Sequence, residues 1–94
     1  MALKLNDVDV EARLDDLADW KREGEEIRKT FQLASFPHAI AFVTQVGFLA
    51  EAAGHHPDID IRWRKVTLAL TTHDAGGLTQ KDFDLAAQID EIMG

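Results

Sequence analysis

The sequence predicts an α+β fold, a four-stranded antiparallel sheet with helices packed on one face, in the order α-β-β-α-β-β-α. Three observations predict it. Two stretches, 20–33 and 59–72, alternate apolar and polar residues with the period of a strand, and each divides into a hairpin. The stretch after each of them carries apolar residues at helical spacing behind a capping residue. No Pro/Gly/Ser-rich linker, low-complexity run or clear internal repeat interrupts the 94 residues, which read as one domain, 1–94.

The elements follow in order. Asn6 or Asp7 caps a first helix, with Val10, Leu14 and Leu17 on one face and an end near Ala18. Trp20 to Glu23 is a short strand and Gly24 sits in the turn. Ile27, Lys29, Phe31 and Leu33 then alternate with Glu26, Arg28, Thr30 and Gln32. Ser35 caps a long helix, Pro37 is tolerated in its first turn, and Gly54 ends it after Ala53. Phe36, Ile40, Val43 and Gly47 lie along one side of that helix. Phe42, Val46, Leu49, Ala50 and Ala53 widen the stripe, and Phe48 adds a further side, which predicts burial against more than one surface. Ile59, Ile61 and Trp63 mark a third strand, and Lys65 to Thr72 a fourth; the turn near Arg64 lacks Gly or Asn. Gly76 and Gly77 break the chain. Thr79 and Asp82 then form a capping box for a last helix with Phe83, Ala86, Ile89 and Met93 on its buried face.

Bulk properties narrow the function. A net charge of −7, from 17 acidic and 10 basic residues, repels phosphate backbones and anionic membrane surfaces, so no direct nucleic-acid or membrane partner is expected. The apolar stretch from Ala39 to Ala53 is too short and too polar to span a bilayer, and the first 14 residues carry acids where a signal peptide needs an apolar run. The absence of cysteine fits a reducing compartment. A cytoplasmic protein is expected. A domain of this size has a modest core, and self-association through the open sheet edges or the broad second helix is the natural support.

Chemistry concentrates in three histidines. His55 and His56 precede the third strand and His73 follows the fourth, and an antiparallel hairpin makes those two ends neighbours. Imidazoles, with an ordinary pKa near 6.5, exchange protons near neutral pH and suit general acid–base work. Zinc is the competing reading of three histidines. Adjacent His55 and His56 point to opposite sides of an extended backbone, and no His-x-His or His-Glu-x-x-His spacing is present, so no metal is expected.

The segment from Glu51 to Asp90 resembles the signature region of the pterin-4a-carbinolamine dehydratases. Its pattern is an acidic or polar residue, three residues, His-His-Pro, five residues, an aromatic, nine residues, a His, then at least eight residues and an Asp. Glu51, His55, His56, Pro57, Trp63, His73 and Asp82 match it at every spacing. The Thr-His-Asp-Ala-Gly-Gly-Leu-Thr run from Thr72 is typical too, and Trp20, the Ile27–Phe31 strand and the Ser35-Phe36 helix start extend the likeness over nearly the whole chain.

The resemblance implies a hydro-lyase that converts a 4a-hydroxytetrahydropterin to a quinonoid dihydropterin and water, in recycling of the tetrahydropterin used by an aromatic amino acid hydroxylase. It implies no cofactor and no metal. It implies a catalytic set of His55, His56, His73 and Asp82, with the acid and base roles divided between His55 and His73, and pterin binding by His56 and Pro57 and by the backbone of Thr72, His73, Asp74 and Ala75. Asp82 orients a histidine or contacts the pterin, Glu51 is a weaker candidate for the same role, and Trp63 is either a stacking platform or a core aromatic. The family also implies a homodimer or homotetramer. A protein–protein interaction module without required catalysis is the alternative, and a metal-dependent hydrolase is a third class.

Overall fold

The computed structural model describes residues 3–93. Its elements are α1 (Asp7–Leu14), β1 (Lys21–Glu23), β2 (Glu26–Gln32), α2 (Phe36–Ala53), β3 (Asp58–Arg62), β4 (Lys65–Leu70), a short 3-10 turn (His73–Ala75) and α3 (Gln80–Ile92). The order is the predicted one. The strands form one antiparallel sheet, β1-β2-β4-β3, so the two hairpins meet along β2 and β4.

Register separates two faces. Toward the helices lie the rows Ile27–Leu70, Lys29–Leu68–Ile59 and Phe31–Val66–Ile61. The opposite face carries Lys21–Arg28–Ala69–Asp58, Thr30–Thr67–Asp60 and Gln32–Lys65–Arg62, polar except for Ala69. An apolar core therefore exists on one side only, where Ile27, Val66, Leu68 and Leu70 are fully buried against Ala39, Phe42, Val46 and Ala50 of α2 and Phe83, Leu85, Ala86 and Ile89 of α3. Lys29 sits in the apolar register because Asp90 of α3 takes its ammonium at 2.9 Å and the Phe31 ring lies 4.9 Å below it. The indole N–H of buried Trp20 donates to the same carboxylate at 3.1 Å.

Several boundaries differ from the expectation. Asn6 caps α1 by accepting from the Asp9 N–H at 2.8 Å, but the helix ends at Leu14. Asp15 and Asp16 are acids at the negative end of the helix dipole, and the chain tightens there into three-residue turns before Asp19 takes φ +68°. Leu17 still packs on the core. β4 stops at Leu70, opposite Ile27 near the start of β2; beyond it the Thr71 hydroxyl donates to the Glu25 carbonyl and Thr72 bonds to Gly77. The face of α2 that packs is Ala39, Phe42, Val46 and Ala50, while Phe36, Ile40 and Phe48 point outward, 48%, 41% and 76% exposed. Met93 follows α3 and is exposed, while Leu85, not expected on the buried face, is in the core. Trp63 is not a strand residue. It forms the β3–β4 turn with Arg64, at φ +56°, and is 70% exposed.

No helix among the described residues is long and apolar enough to cross a membrane. Leu68, near the centre of β4, is fully buried in the core. Its replacement by Ala should cost about 2–5 kcal/mol, read as a lower urea midpoint.

Candidate active site

The end of α2 sets the first wall. Gly54 adopts φ +62°, and its N–H bonds to the Glu51 carbonyl while the His55 N–H reaches back to the Ala50 carbonyl. This pair of bonds is a Schellman ending, which needs a left-handed residue where Gly54 stands. It locks the backbone of His55 directly behind the helix. The end of β4 sets the second wall. Thr72 and Gly77 exchange two backbone bonds, 3.1 and 3.3 Å, and close a loop that presents His73 and Asp74. Gly76, at φ +75°, makes the turn inside it.

Between the walls lies a cleft of about 290 Å³, bordered by Gly54–His56, Thr71–Asp74 and Lys81 of α3. That is at the small end of the roughly 300–1,000 Å³ typical of ligand sites, a size suited to one compact heterocycle. His73 also borders a second cleft, about 380 Å³, with Glu23, Glu25 and Glu26 on its far side. A hydrogen bond from Lys4 holds the Glu25 carboxyl below the usual carboxylate range, and Lys4 thereby ties the N-terminal segment across the β1–β2 turn.

Beneath the first cleft, Asp82 is fully buried. Its Oδ1 meets Nε2 of His55 at 2.5 Å. Its Oδ2 accepts from the Thr72 hydroxyl and from the Thr79 N–H, each at 2.9 Å. The Thr72 and Thr79 hydroxyls are 2.8 Å apart. A buried carboxylate is tolerable only with such a full set of donors. Asp82 thus completes the capping box of α3 and holds His55 with the same side chain. His56 turns away, with Nε2 at 2.9 Å from Glu51 near solvent. The two adjacent imidazoles therefore serve different carboxylates, and no group of three potential ligands converges among the described residues.

The structure brings His55, His56, Thr72, His73 and Asp74 to the cleft, with Asp82 beneath it and Glu51 behind His56. Pro57 and Ala75 stand next in chain to lining residues without bordering it. The expected backbone contacts from Thr72 and Ala75 meet competition: both backbone groups of Thr72 and the N–H of Ala75 are engaged inside the loop. Trp63 is elsewhere. It lies seven residues beyond His56, about 20 Å along an extended strand, at the opposite end of the hairpin. Lys81 was not anticipated. The signal was present, since a cation in the first turn of a helix opposes the dipole and asks for another reason to be there.

The model of one family, pterin 4 alpha carbinolamine dehydratase, matches residues 3–92. The chain belongs to this family. A provisionally named pterin-4-alpha-carbinolamine dehydratase of Roseiflexus sp. (strain RS-1) is 78% identical over 99% of this chain and 100% of its own. A relative of the same name from Nostoc sp. is 51% identical over 98% of this chain and 99% of its own. Among solved structures, a transcriptional coactivator/pterin dehydratase from Brucella melitensis superposes with a TM-score of 0.93 at 28% identity, covering 97% of this chain and 99% of that one. A pterin dehydratase-like protein identified as a RuBisCO assembly factor in the alpha-carboxysome follows at 0.69 and 25%, covering 81% and 90%.

Three donors converge on Asp82, so an isosteric amide must turn one N–H against another donor or force His55 to rearrange. Asp82→Asn should lower stability by roughly 1–3 kcal/mol, measured by chemical denaturation.

Proposed function

We propose that this chain dehydrates a 4a-hydroxytetrahydropterin to a quinonoid dihydropterin, using His55 and His73 as the proton-transfer pair. The observation that carries the reading is the pair formed by half-buried His55 and fully buried Asp82, beside a cleft that His73 borders from the other wall. The reaction is redox-neutral. The C4a–O bond breaks, the departing hydroxyl takes a proton and leaves as water, N5 loses its proton, and the N–H electron pair becomes the N5=C4a double bond.

The geometry supports a division of labour. A carboxylate only accepts, so Nε2 of His55 carries the proton shared with Asp82 and its Nδ1 keeps the lone pair. That lone pair suits the base for N5–H, and Asp82 stabilises the imidazolium that results. His73, exposed on the opposite wall, suits the acid that protonates the leaving hydroxyl. His56, braced by Glu51, and Lys81 border the mouth and suit binding of the pterin's polar edge. The exposure of His73 lets it reload from solvent. In a cell, the product belongs with a reductase, and the substrate with an aromatic amino acid hydroxylase, as the family resemblance implies.

A second reading concerns partners, and the outward side of α2 favours it. Phe36, Ile40 and Phe48 there, with Ile59 and Trp63 on the β3 hairpin, are the larger part of the exposed apolar residues. β3 is also an open edge. A second copy of this chain fits that edge. Antiparallel pairing centred on Ile61 would set Ile61 against Ile61 and Asp60 against Arg62 of the second copy, with no like charges opposed. Interaction roles named for two structural relatives, a coactivator and an assembly factor, are compatible with a binding surface of this kind.

Stopped-flow absorbance of 4a-hydroxytetrahydropterin decay tests the first reading. The protein should accelerate decay in the presence of a chelator, and His55→Ala or His73→Ala should each lower kcat/KM by about 10²-fold or more; no acceleration by the intact protein sinks it. Sedimentation tests the second. A species well above the 10.5 kDa monomer is expected, and Phe48→Glu should shift it downward; a monomer at all concentrations rejects self-association.

A further inference from the structure

We propose that Thr79, acting through Thr72, is a positioning residue for the active-site base, holding the Asp82 carboxylate in the place where it keeps the proton of His55 on Nε2. The kinetic part of this proposal rests on the dehydratase reading; the structural part does not.

Proton counting carries the argument. Thr72 Oγ1 lies 2.9 Å from Asp82 Oδ2, and a carboxylate offers no proton, so the single hydroxyl proton of Thr72 points at Asp82. The 2.8 Å contact between the two hydroxyls must then be filled by the proton of Thr79. The Thr79 oxygen remains free to accept, as its place in the capping box asks. The result is a one-way chain: Thr79 O–H to Thr72, Thr72 O–H to Asp82 Oδ2, and His55 Nε2–H to Asp82 Oδ1. Each donation polarises the next. With the Thr79 N–H also on Oδ2, that oxygen is saturated and cannot compete for the imidazole. Asp82 is left with Oδ1 alone to face His55, and His55 with Nδ1 alone to face the cleft.

Burial makes the chain stringent. Thr79 and Asp82 are 0% exposed and Thr72 is 7% exposed. Water has little access to replace a missing hydroxyl, so a lost link is felt along the chain. A threonine needed only to start α3 would require nothing of Thr72. The Thr72–Thr79 contact joins the end of β4 to the start of α3, and it aligns the two elements that carry His73 and Asp82.

The test uses ¹⁵N-labelled full-length protein. Imidazole ¹⁵N shifts of His55 separate an Nε2–H tautomer from an Nδ1–H one. The variants are Thr79→Val and Thr72→Val, which keep shape and lose the hydroxyl, and Thr79→Ser and Thr72→Ser, which restore it. Asp82→Asn is the reference for a lost anchor. Wild type should show His55 as Nε2–H. Both valine variants should move it toward a tautomer mixture and lower kcat about three- to tenfold with KM nearly unchanged, and both serine variants should return to wild type. Folded valine variants with wild-type shifts and wild-type kcat overturn the proposal. So does wild-type His55 found as Nδ1–H, a result that stands even where a valine variant fails to fold. If the intact protein shows no dehydratase activity while the valine variants still shift the His55 tautomer, the positioning role holds and the dehydratase reading falls.

Discussion

The structure turns on one buried carboxylate. Asp82 has no exposed surface, and a charge so placed survives only where donors surround it. Those donors come from three separate parts of the chain: the turn behind α2 supplies His55, the end of β4 supplies Thr72, and the start of α3 supplies the Thr79 N–H. Satisfying Asp82 therefore joins α2, β4 and α3 at one point. The same bonds that let the carboxylate be buried also create an imidazole with one face occupied and one face open. Fold and site share their atoms here, and neither can be adjusted without the other.

The sheet supplies the frame for that point. β3 and β4 form a hairpin whose open end holds His55 and His73 on facing walls, and whose closed end holds Trp63 and Arg64. α2 runs between these two ends. Its inner side closes the core with Ala39, Phe42, Val46 and Ala50, and its last turn delivers His55 through a glycine in the left-handed region. Lys29 and Asp90, 61 positions apart in the chain, meet and tie α3 down at its far end. The histidine end is thus held by polar contacts and the far end of α3 by a salt bridge over an aromatic ring.

Much of this was legible in the sequence. Alternation located all four strands, capping residues located α2 and α3 to within a residue, and antiparallel pairing alone put His55 and His73 together. Asp82 was visible as the third residue of a capping box. What was hidden has physical reasons. An 18-residue helix apolar on most sides does not say which side is inside, so Phe36 and Ile40 were placed with the core and Ala39 was not. A tryptophan at φ +56° breaks the turn chemistry that sequence patterns rely on, so Trp63 was read as part of β3 and of the site. Bonds between hydroxyls of Thr72 and Thr79, across a loop, follow no periodicity at all.

The sheet's outer surface has a consequence of its own. Its rows of Lys, Arg, Asp, Glu, Thr and Gln are interrupted only by Ala69. Face-to-face stacking of two such sheets would strip water from all of these polar rows with almost no apolar area to compensate. Copies of the molecule can add only laterally, edge beside edge or helix against helix. Growth in those directions would leave every sheet with one wetted side.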